Sequence, residues 1–160
     1  HVDTAQTVHE CIIAGVIMDK ERLNAIAKSF LGTPHVNGGN IKGAGLDCCT
    51  LPAQIFQELD HKEFEILFGY SGDWYCKKDC DELLLPYLEK YCDRVDELQP
   101  GDVISYRWAR AQYAHLAVYL GDNKLVHCQA RVGVEITDVW NPYFYDAKGN
   151  SRVTGYWRLK

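Results

Sequence analysis

The first third of the chain carries apolar residues at helical spacing. Between Leu23 and Leu31 they recur three and four positions apart, which predicts an amphipathic helix whose acidic first turn lies at 19–22. Gly32-Thr33-Pro34 ends this helix, because glycine and proline are poor helix formers. The glycine-rich stretch 38–45 that follows is typical of a loop.

A second helix is predicted from Leu51 to about Leu59. Leu51, Ile55 and Leu59 are four residues apart and lie on one helical face. Pro52 is compatible only with a first turn, where its missing N–H costs little. We therefore place the helix start at Cys49 or Thr50, with Thr50 as the candidate N-cap.

The pattern changes after Pro100-Gly101, where apolar and polar positions begin to alternate as they do in strands. The predicted strands cover 103–106, 114–120, 124–128, 134–139 and 155–159. Helices come first and strands second, which predicts an α+β fold with a four- to six-stranded antiparallel sheet.

Two of these strands form a predicted hairpin around a three-residue loop at 121–123. Leu120 then pairs with Lys124 and Ala117 pairs with His127. In this register His115 and His127 share one face as diagonal neighbours, within reach of each other's side chains. A two-residue loop would place the two histidines on opposite faces.

Two segments lie outside this core pattern. Residues 1–18 precede the first predicted helix and are interpreted as an extension or a non-native remnant. Residues 60–97 are charged and aromatic, with a helix predicted around Cys80 to Tyr91, and are interpreted as an insertion or lid. Residues 19–160 then form a single domain.

Composition narrows the class of protein. The 160 residues are 47% hydrophobic and 24% charged, which is typical of a globular domain. A net charge of −5 argues against nucleic acid as a partner, because phosphate binding needs a basic face. The apolar run 11–18 is too short for a membrane span, and it lacks the flanking features of a secretory signal.

Seven cysteines are present, an odd number that leaves one thiol over if the others pair. One alternative is a zinc-binding module built from Cys76, Cys80, Cys92 and a histidine, although only one pair of these cysteines has ligand-like spacing. A Cys76–Cys80 disulfide is a further alternative for an exported protein.

Cys48 has the strongest chemical context of the seven. The segment Gly45-Leu46-Asp47-Cys48-Cys49 delivers a thiol from a loop to a helix start, where unpaired N–H groups favour thiolate. Position alone hardly separates Cys48 from Cys49. His115 is suited to act as the base for such a nucleophile, as an ion pair with it, and His127 is suited to orient that base.

Successive segments resemble those of the NlpC-type cysteine peptidases, bacterial and phage cell-wall enzymes with a papain-like fold. The matching segments are Gly32-Thr33-Pro34, Gly38-Gly39, Gly45-Leu46-Asp47-Cys48, Leu98-Gln99-Pro100-Gly101-Asp102-Val103, 115–122 and Leu125-Val126-His127. The helix followed by Leu31-Gly32-Thr33-Pro34 is most similar to the tail-associated phage and prophage branch.

The resemblance implies a function and a set of roles. Cys48 would be the nucleophile, His115 the general base and His127 the orienting residue, with no metal or other cofactor. Peptidoglycan stem peptides would be the substrate, with phage tail proteins as candidate partners. No signal peptide is visible, so phage delivery to the cell wall, as part of a virion, is one route to the substrate.

The chain departs from the family pattern after Cys48, where Cys49-Thr50 replaces the usual Ser-Gly. His35 stands where the family often has a tyrosine that assists the oxyanion. The residues that we consider as candidates to bind substrate or the oxyanion are His35, Asn37, Asp47, Trp108 and Gln129. Gln129 is also a weaker candidate for the role of orienting His115. Trp74 and Tyr75 are further candidates to line the cleft.

Other functions use the same residues. An amine in place of water would resolve the acyl-enzyme by acyl transfer or transpeptidation. A non-catalytic domain that binds cell-wall peptides is the other alternative, and the departure at Cys49-Thr50 motivates it.

Overall fold

A computed structural model describes residues 11–13, 16–60, 62–65 and 69–160, and for 11–13 and 16–17 it gives strand pairing only. Its three helices are α1 (Lys20–Ser29), α2 (Thr50–Asp60) and α3 (Leu85–Tyr91). Its strands are β1 (Cys11–Ile13), β2 (Val16–Met18), β3 (Asn40–Ile41), β4 (Gly45–Leu46), β5 (Cys92–Val95), β6 (Val103–Trp108), β7 (Ala111–Gly121), β8 (Lys124–Gln129), β9 (Gly133–Asp138) and β10 (Val153–Leu159).

Six of the strands form one antiparallel sheet in the order β5-β10-β6-β7-β8-β9. The strands β6 to β9 follow one another along the chain as hairpin neighbours, and β10 returns to pair with both β5 and β6. Helices that precede a meander of strands confirm the predicted α+β fold.

Each face of the sheet is covered by a different layer. One face packs against α1 and α2, where Leu23, Ala27 and Ile55 are fully buried. The opposite face is covered by aromatic side chains around Phe144, which lies in a short 3₁₀ turn between β9 and β10. Residues of β7 and β8 alternate between these two layers, as the pleat of a strand requires.

The β7–β8 hairpin keeps the predicted register at its centre but closes differently. Ala117 pairs with His127 as expected, whereas Lys124 pairs with Gly121 and not with Leu120. Asp122 and Asn123 both have positive φ, 51° and 59°, which is the conformation of a two-residue type I′ turn. A bulge at Leu120 supplies the extra residue that returns the two histidines to one face.

The segment 60–97 contributes to the sheet as well as covering α2. Its helix begins at Leu85, later than the predicted Cys80, because Pro86 fits only a first helical turn. The next residues form β5, which pairs with β10 at the edge of the sheet and was not predicted.

Two shorter features also differ from the predictions. The glycine-rich stretch contains the β3–β4 pairing, because Gly39 lets its backbone approach that of Gly45 closely and Gly45 leaves room for the Val36 side chain. Met18 is buried in the core, whereas the rest of the predicted 1–18 extension lies outside the described side chains. None of the helices in the described part of the chain has the length and apolarity needed to cross a bilayer.

Candidate active site

Asp47 organises the loop that carries Cys48. Its carboxylate is buried, and one oxygen accepts hydrogen bonds from the backbone N–H of Cys49 (2.9 Å) and of Thr50 (3.0 Å). The other oxygen accepts from the Gly38 N–H (2.8 Å) and from the Tyr70 hydroxyl. Burial raises the pKa of Tyr70, so that hydroxyl keeps its proton and remains a donor.

The N-cap of α2 is therefore Asp47, and the prediction of Thr50 is wrong. Thr50 Oγ1 accepts from the Asp47 N–H at 2.9 Å, which completes a reciprocal capping arrangement, and donates to the Gly39 carbonyl at 2.6 Å. The Leu51 N–H donates to the Asp47 carbonyl at 3.2 Å, so Cys48 belongs to the first turn. Asp47 accepts hydrogen bonds from two N–H groups of that turn, those of Cys49 and Thr50. It does not accept one from the N–H of Cys48.

Cys48 and Cys49 face different spaces. Cys48 is half-buried and lines an open cleft of about 540 Å³, with its thiol 3.9 Å from the Ala114 carbonyl. Cys49 lines an apolar cavity of about 80 Å³ beneath α2. Its hydrogen bond to Cys48, at 4.0 Å between the sulfurs, and its burial raise the pKa of Cys49 well above the ordinary value. Of these two adjacent cysteines, Cys48 is the one that lines the cleft.

A chain of hydrogen-bonding groups runs away from the cleft. His115 lines the cleft, and its Nε2 lies 2.8 Å from Nδ1 of His127, with the two rings perpendicular. Nε2 of His127 lies 2.8 Å from Oε1 of Glu135. Both histidines are buried, and the side chain of Glu135 is 25% exposed.

Strand register explains this chain of contacts. His127 pairs directly with Glu135 across β8 and β9, and it is diagonal to His115 across β7 and β8. Glu135 was not identified from the sequence. The available signal was the 130–132 connection, since a three-residue loop there pairs positions 127 and 135.

Burial disfavours the charged form of both histidines. It lowers the pKa of His115 well below 6.5, and the nearby His127 and His35 lower it further. Burial also lowers the pKa of His127, although contact with Glu135 opposes that shift. These shifts favour the neutral form of each imidazole, and the ion pair between Cys48 and His115 expected from the sequence stays a prediction.

Aromatic rings hold the imidazoles in place. The ring centroid of Tyr143 lies 5.4 Å from that of His115 and 5.2 Å from that of His127. Trp108 packs on Tyr143 at 4.6 Å, and the guanidinium of Arg152 lies 4.1 Å from the Trp108 ring. Trp108 thus lines the cleft. It also packs against Tyr143, the ring that contacts both histidines.

The remaining predicted residues also line the cleft: His35, Asn37, Asp47, Gln129, Trp74 and Tyr75. Asn37 uses its side-chain amide to donate to the Tyr70 carbonyl at 3.0 Å. Gln129 faces the cleft, but the contact with His115 is made by His127. The sequence did not single out Tyr70, Tyr143 or Arg131, which lie in the same cleft.

The cysteines of the zinc and disulfide alternatives do not cluster. Cys76, Cys80 and Cys92 are free thiols, and burial raises the pKa of Cys92 to about 12, which keeps it protonated. Over residues with described positions, no group of three or more His, Cys, Asp or Glu side chains is arranged to hold a metal ion.

The fold is shared with several solved structures. The chain is similar to the NlpC/p60 domain of the peptidoglycan hydrolase SagA, with 17% identity, a TM-score of 0.59, and coverage of 89% of this chain and 100% of that one. For an NlpC/P60 family protein from Bacillus cereus, identity is 23%, the TM-score is 0.62, and coverage is 88% of this chain and 40% of that one.

A third similar structure is RipD from Mycobacterium tuberculosis, described as a non-catalytic NlpC/p60 domain protein adapted to peptidoglycan binding. Its identity is 18%, its TM-score is 0.52, and coverage is 87% of this chain and 95% of that one. No curated protein matches this chain.

Sequence similarity gives the family directly. Residues 32–152 match the model of the NlpC/P60 family. This range contains Cys48, both histidines and Glu135, together with five of the six strands of the main sheet in full. Because the match covers well over half of the sequence, the chain belongs to the NlpC/P60 family.

Proposed function

We propose that this protein is a cysteine peptidase that hydrolyses amide bonds in the stem peptides of peptidoglycan. The observation that carries the proposal is that the Cys48 thiol and the His115 imidazole line one open cleft, with His115 held from behind by His127. Family membership supports peptidoglycan as the substrate.

The first half of the reaction forms a thioester. Because Nε2 of His115 is engaged with His127, Nδ1 is the nitrogen that takes the proton from the Cys48 thiol. The sulfur attacks the amide carbonyl carbon, and the developing oxyanion accepts a hydrogen bond from the Cys48 N–H. The C–N bond then breaks as His115 returns its proton to the leaving amine.

The second half releases the acyl group. His115 takes a proton from water, and the hydroxide attacks the thioester. The C–S bond then breaks as His115 returns the proton to the departing sulfur, which gives a carboxylic acid and the Cys48 thiol. An amine in place of water would give transpeptidation, so the identity of the second product distinguishes hydrolysis from acyl transfer.

Digestion of purified peptidoglycan followed by mass spectrometry of the soluble muropeptides tests the proposal. We expect wild-type protein to release shortened stem peptides with a new amine and a new carboxylate, and Cys48→Ala to release none. Products joined to an added amine would point to acyl transfer instead.

A non-catalytic binding domain is the second candidate, favoured by the similarity to RipD and by Cys49-Thr50 after the proposed nucleophile. Sedimentation of the protein with insoluble peptidoglycan distinguishes the two. Wild-type protein that binds peptidoglycan but releases no fragments under any tested pH would establish the binding function and refute the peptidase.

A further inference from the structure

Glu135 ends the chain of hydrogen bonds that begins at the cleft. An ionised carboxylate can only accept hydrogen bonds, so the 2.8 Å contact with His127 requires a proton on His127 Nε2. A neutral imidazole carries one proton, which leaves Nδ1 of His127 as an acceptor.

That acceptor determines the protonation of the next ring. Nδ1 of His127 lies 2.8 Å from Nε2 of His115, so His115 must donate from Nε2. The proton of a neutral His115 then sits on Nε2, and the lone pair remains on Nδ1. Glu135 thereby selects, through one intervening imidazole, the tautomer in which His115 can accept a proton from a thiol.

The surroundings leave this role to Glu135. The groups that face the two histidines are the rings of Tyr106 and Tyr143, the Phe144 and Trp108 rings, and the more distant His35. Glu135 is the carboxylate in hydrogen-bond contact with either imidazole within the described residues. A proton passed from His115 to His127 would make His127 positively charged. The carboxylate of Glu135, in contact with His127, would then balance that charge.

We propose that Glu135 is a positioning residue that fixes the tautomers of His127 and His115 and stabilises the charge they acquire when Cys48 loses its proton. The inference deepens the proposed function and rests on it for the reaction that the charge serves. The tautomer assignment itself depends only on the contacts of the three side chains.

Nitrogen-15 NMR of the intact protein at pH 7.5 tests the tautomers directly. Long-range proton–nitrogen correlations distinguish a protonated Nε2 from a protonated Nδ1, and we expect both histidines to carry the proton on Nε2. A proton on Nδ1 of His127 in the wild-type protein overturns the proposal, so the test does not depend on any variant folding.

Variants test the consequence for reactivity. Glu135→Gln supplies an amide that can donate as well as accept, so we expect mixed tautomers for His127. We also expect the rate of carbamidomethylation of Cys48 by iodoacetamide and kcat on stem peptides to fall about 10- to 100-fold with little change in KM, as when an outer partner of a histidine is lost. Glu135→Asp should recover part of both.

Asp138→Asn is the matched control. It removes a carboxylate from the same strand, where Asp138 is exposed and paired with Lys124, and should leave tautomers and rates unchanged. Glu135→Gln with wild-type tautomers, whether or not its rate falls, would overturn the proposal. Wild-type tautomers on Nε2 together with fast Cys48 alkylation but no peptidoglycan cleavage would support Glu135 while refuting the proposed function.

Discussion

Cys48 and Cys49 are adjacent in the chain, yet their sulfurs meet different surroundings. Cys48 opens onto the cleft that His115 lines, whereas Cys49 turns into an apolar cavity under α2. The raised pKa of Cys49 means that it stays a thiol and can donate a weak hydrogen bond to the sulfur of Cys48. We therefore expect Cys48 to be the reactive thiol of the pair.

Substitution of each residue checks this difference. We expect Cys48→Ala and His115→Ala to abolish release of peptidoglycan fragments, because each removes a group that takes part in the reaction. Cys49→Ser should be tolerated, since the hydroxyl keeps a donor beside Cys48. Peptide mapping after brief iodoacetamide treatment at pH 7 should find Cys48 labelled and Cys49 unlabelled.

The opposite pattern would reassign the nucleophile. An active Cys48→Ala protein together with an inactive Cys49→Ser protein would identify Cys49 as the reacting thiol.

The buried histidines make stability depend on pH. Burial lowers the pKa of His115 and of His127 below 6.5 in the folded protein, whereas both titrate near 6.5 in the unfolded chain. Below about pH 6.5 the unfolded state binds more protons than the folded state. The free energy of unfolding therefore decreases as the pH is lowered, by up to about 1.4 kcal/mol per pH unit for each histidine. Above that pH their contribution is fully present.

Urea denaturation between pH 7.5 and 5.0 measures this dependence. His115→Gln removes one of the two titrating imidazoles and should give a shallower fall than wild type, whatever other groups titrate in both proteins. An unfolding free energy that rises as the pH is lowered would contradict neutral, buried histidines.

At the scale of elements, the N-cap residues of α1 and α2 differ in how many hydrogen bonds they accept. Asp19 caps α1 by accepting from the Arg22 N–H at 3.0 Å, at an exposed position. Asp47 caps α2 and also holds Gly38 and Tyr70, which come from the loop before the helix and from the segment 60–97. One carboxylate thus joins three parts of the chain beside Cys48.

Alanine substitution of each N-cap residue separates the effect of helix capping from that of the additional contacts made by Asp47. Asp19→Ala should cost about 1 kcal/mol of stability and leave activity unchanged, as the loss of a simple cap does. Asp47→Ala should cost about 3 kcal/mol, because it also leaves buried donors unpaired, and should lower the reactivity of Cys48. Equal costs in thermal unfolding would show that the contacts to Gly38 and Tyr70 contribute nothing.

At the scale of the molecule, a buried ion pair joins the start of β6 to the last strand. Asp102 is fully buried, and its two oxygens accept from Nε and Nη2 of Arg158, both at 2.9 Å. Asp102 also accepts from the Gln99 N–H at 2.7 Å, which fixes the turn that enters the sheet. The pair therefore ties the turn before β6 to the neighbouring strand β10.

Loss of this carboxylate should be costly. Asp102→Ala removes the buried carboxylate that both Nε and Nη2 of Arg158 contact, so we expect it to lower the free energy of unfolding by about 3 kcal/mol or more. Asp138→Ala removes the exposed pair with Lys124 and should cost less than about 1 kcal/mol. Similar costs for the two variants in urea denaturation would contradict a structural role for the buried pair.

Local patterns in the sequence account for much of this architecture. The apolar spacing of α1 and α2 and the alternation of β6 to β10 are short-range signals, and they predicted the α+β fold. The pairing of Ala117 with His127 followed from the turn residues, although the turn closes at Asp122-Asn123 with a compensating bulge. The phage-tail association and the boundaries of the domain stay predictions.

Contacts between distant segments needed the folded chain. Asp47 rather than Thr50 caps α2 because Gly38 and Tyr70 converge on its carboxylate, which helix propensity does not express. Pairing of β5 with β10 brings together residues about 60 positions apart, and β5 was therefore missed. The lowered pKa of His115 likewise depends on burial, to which an aromatic ring from another element contributes.

The sequence by itself determined which residues could carry out nucleophilic chemistry. These are a thiol at a helix start and two histidines on one face of a strand pair. Only the tertiary structure decided which of two adjacent thiols opens onto the cleft and which carboxylate, Glu135, completes the line of imidazoles. The physical reason is that residue type and local spacing act within one element. Access, burial and the direction of a hydrogen bond arise only when elements pack against each other.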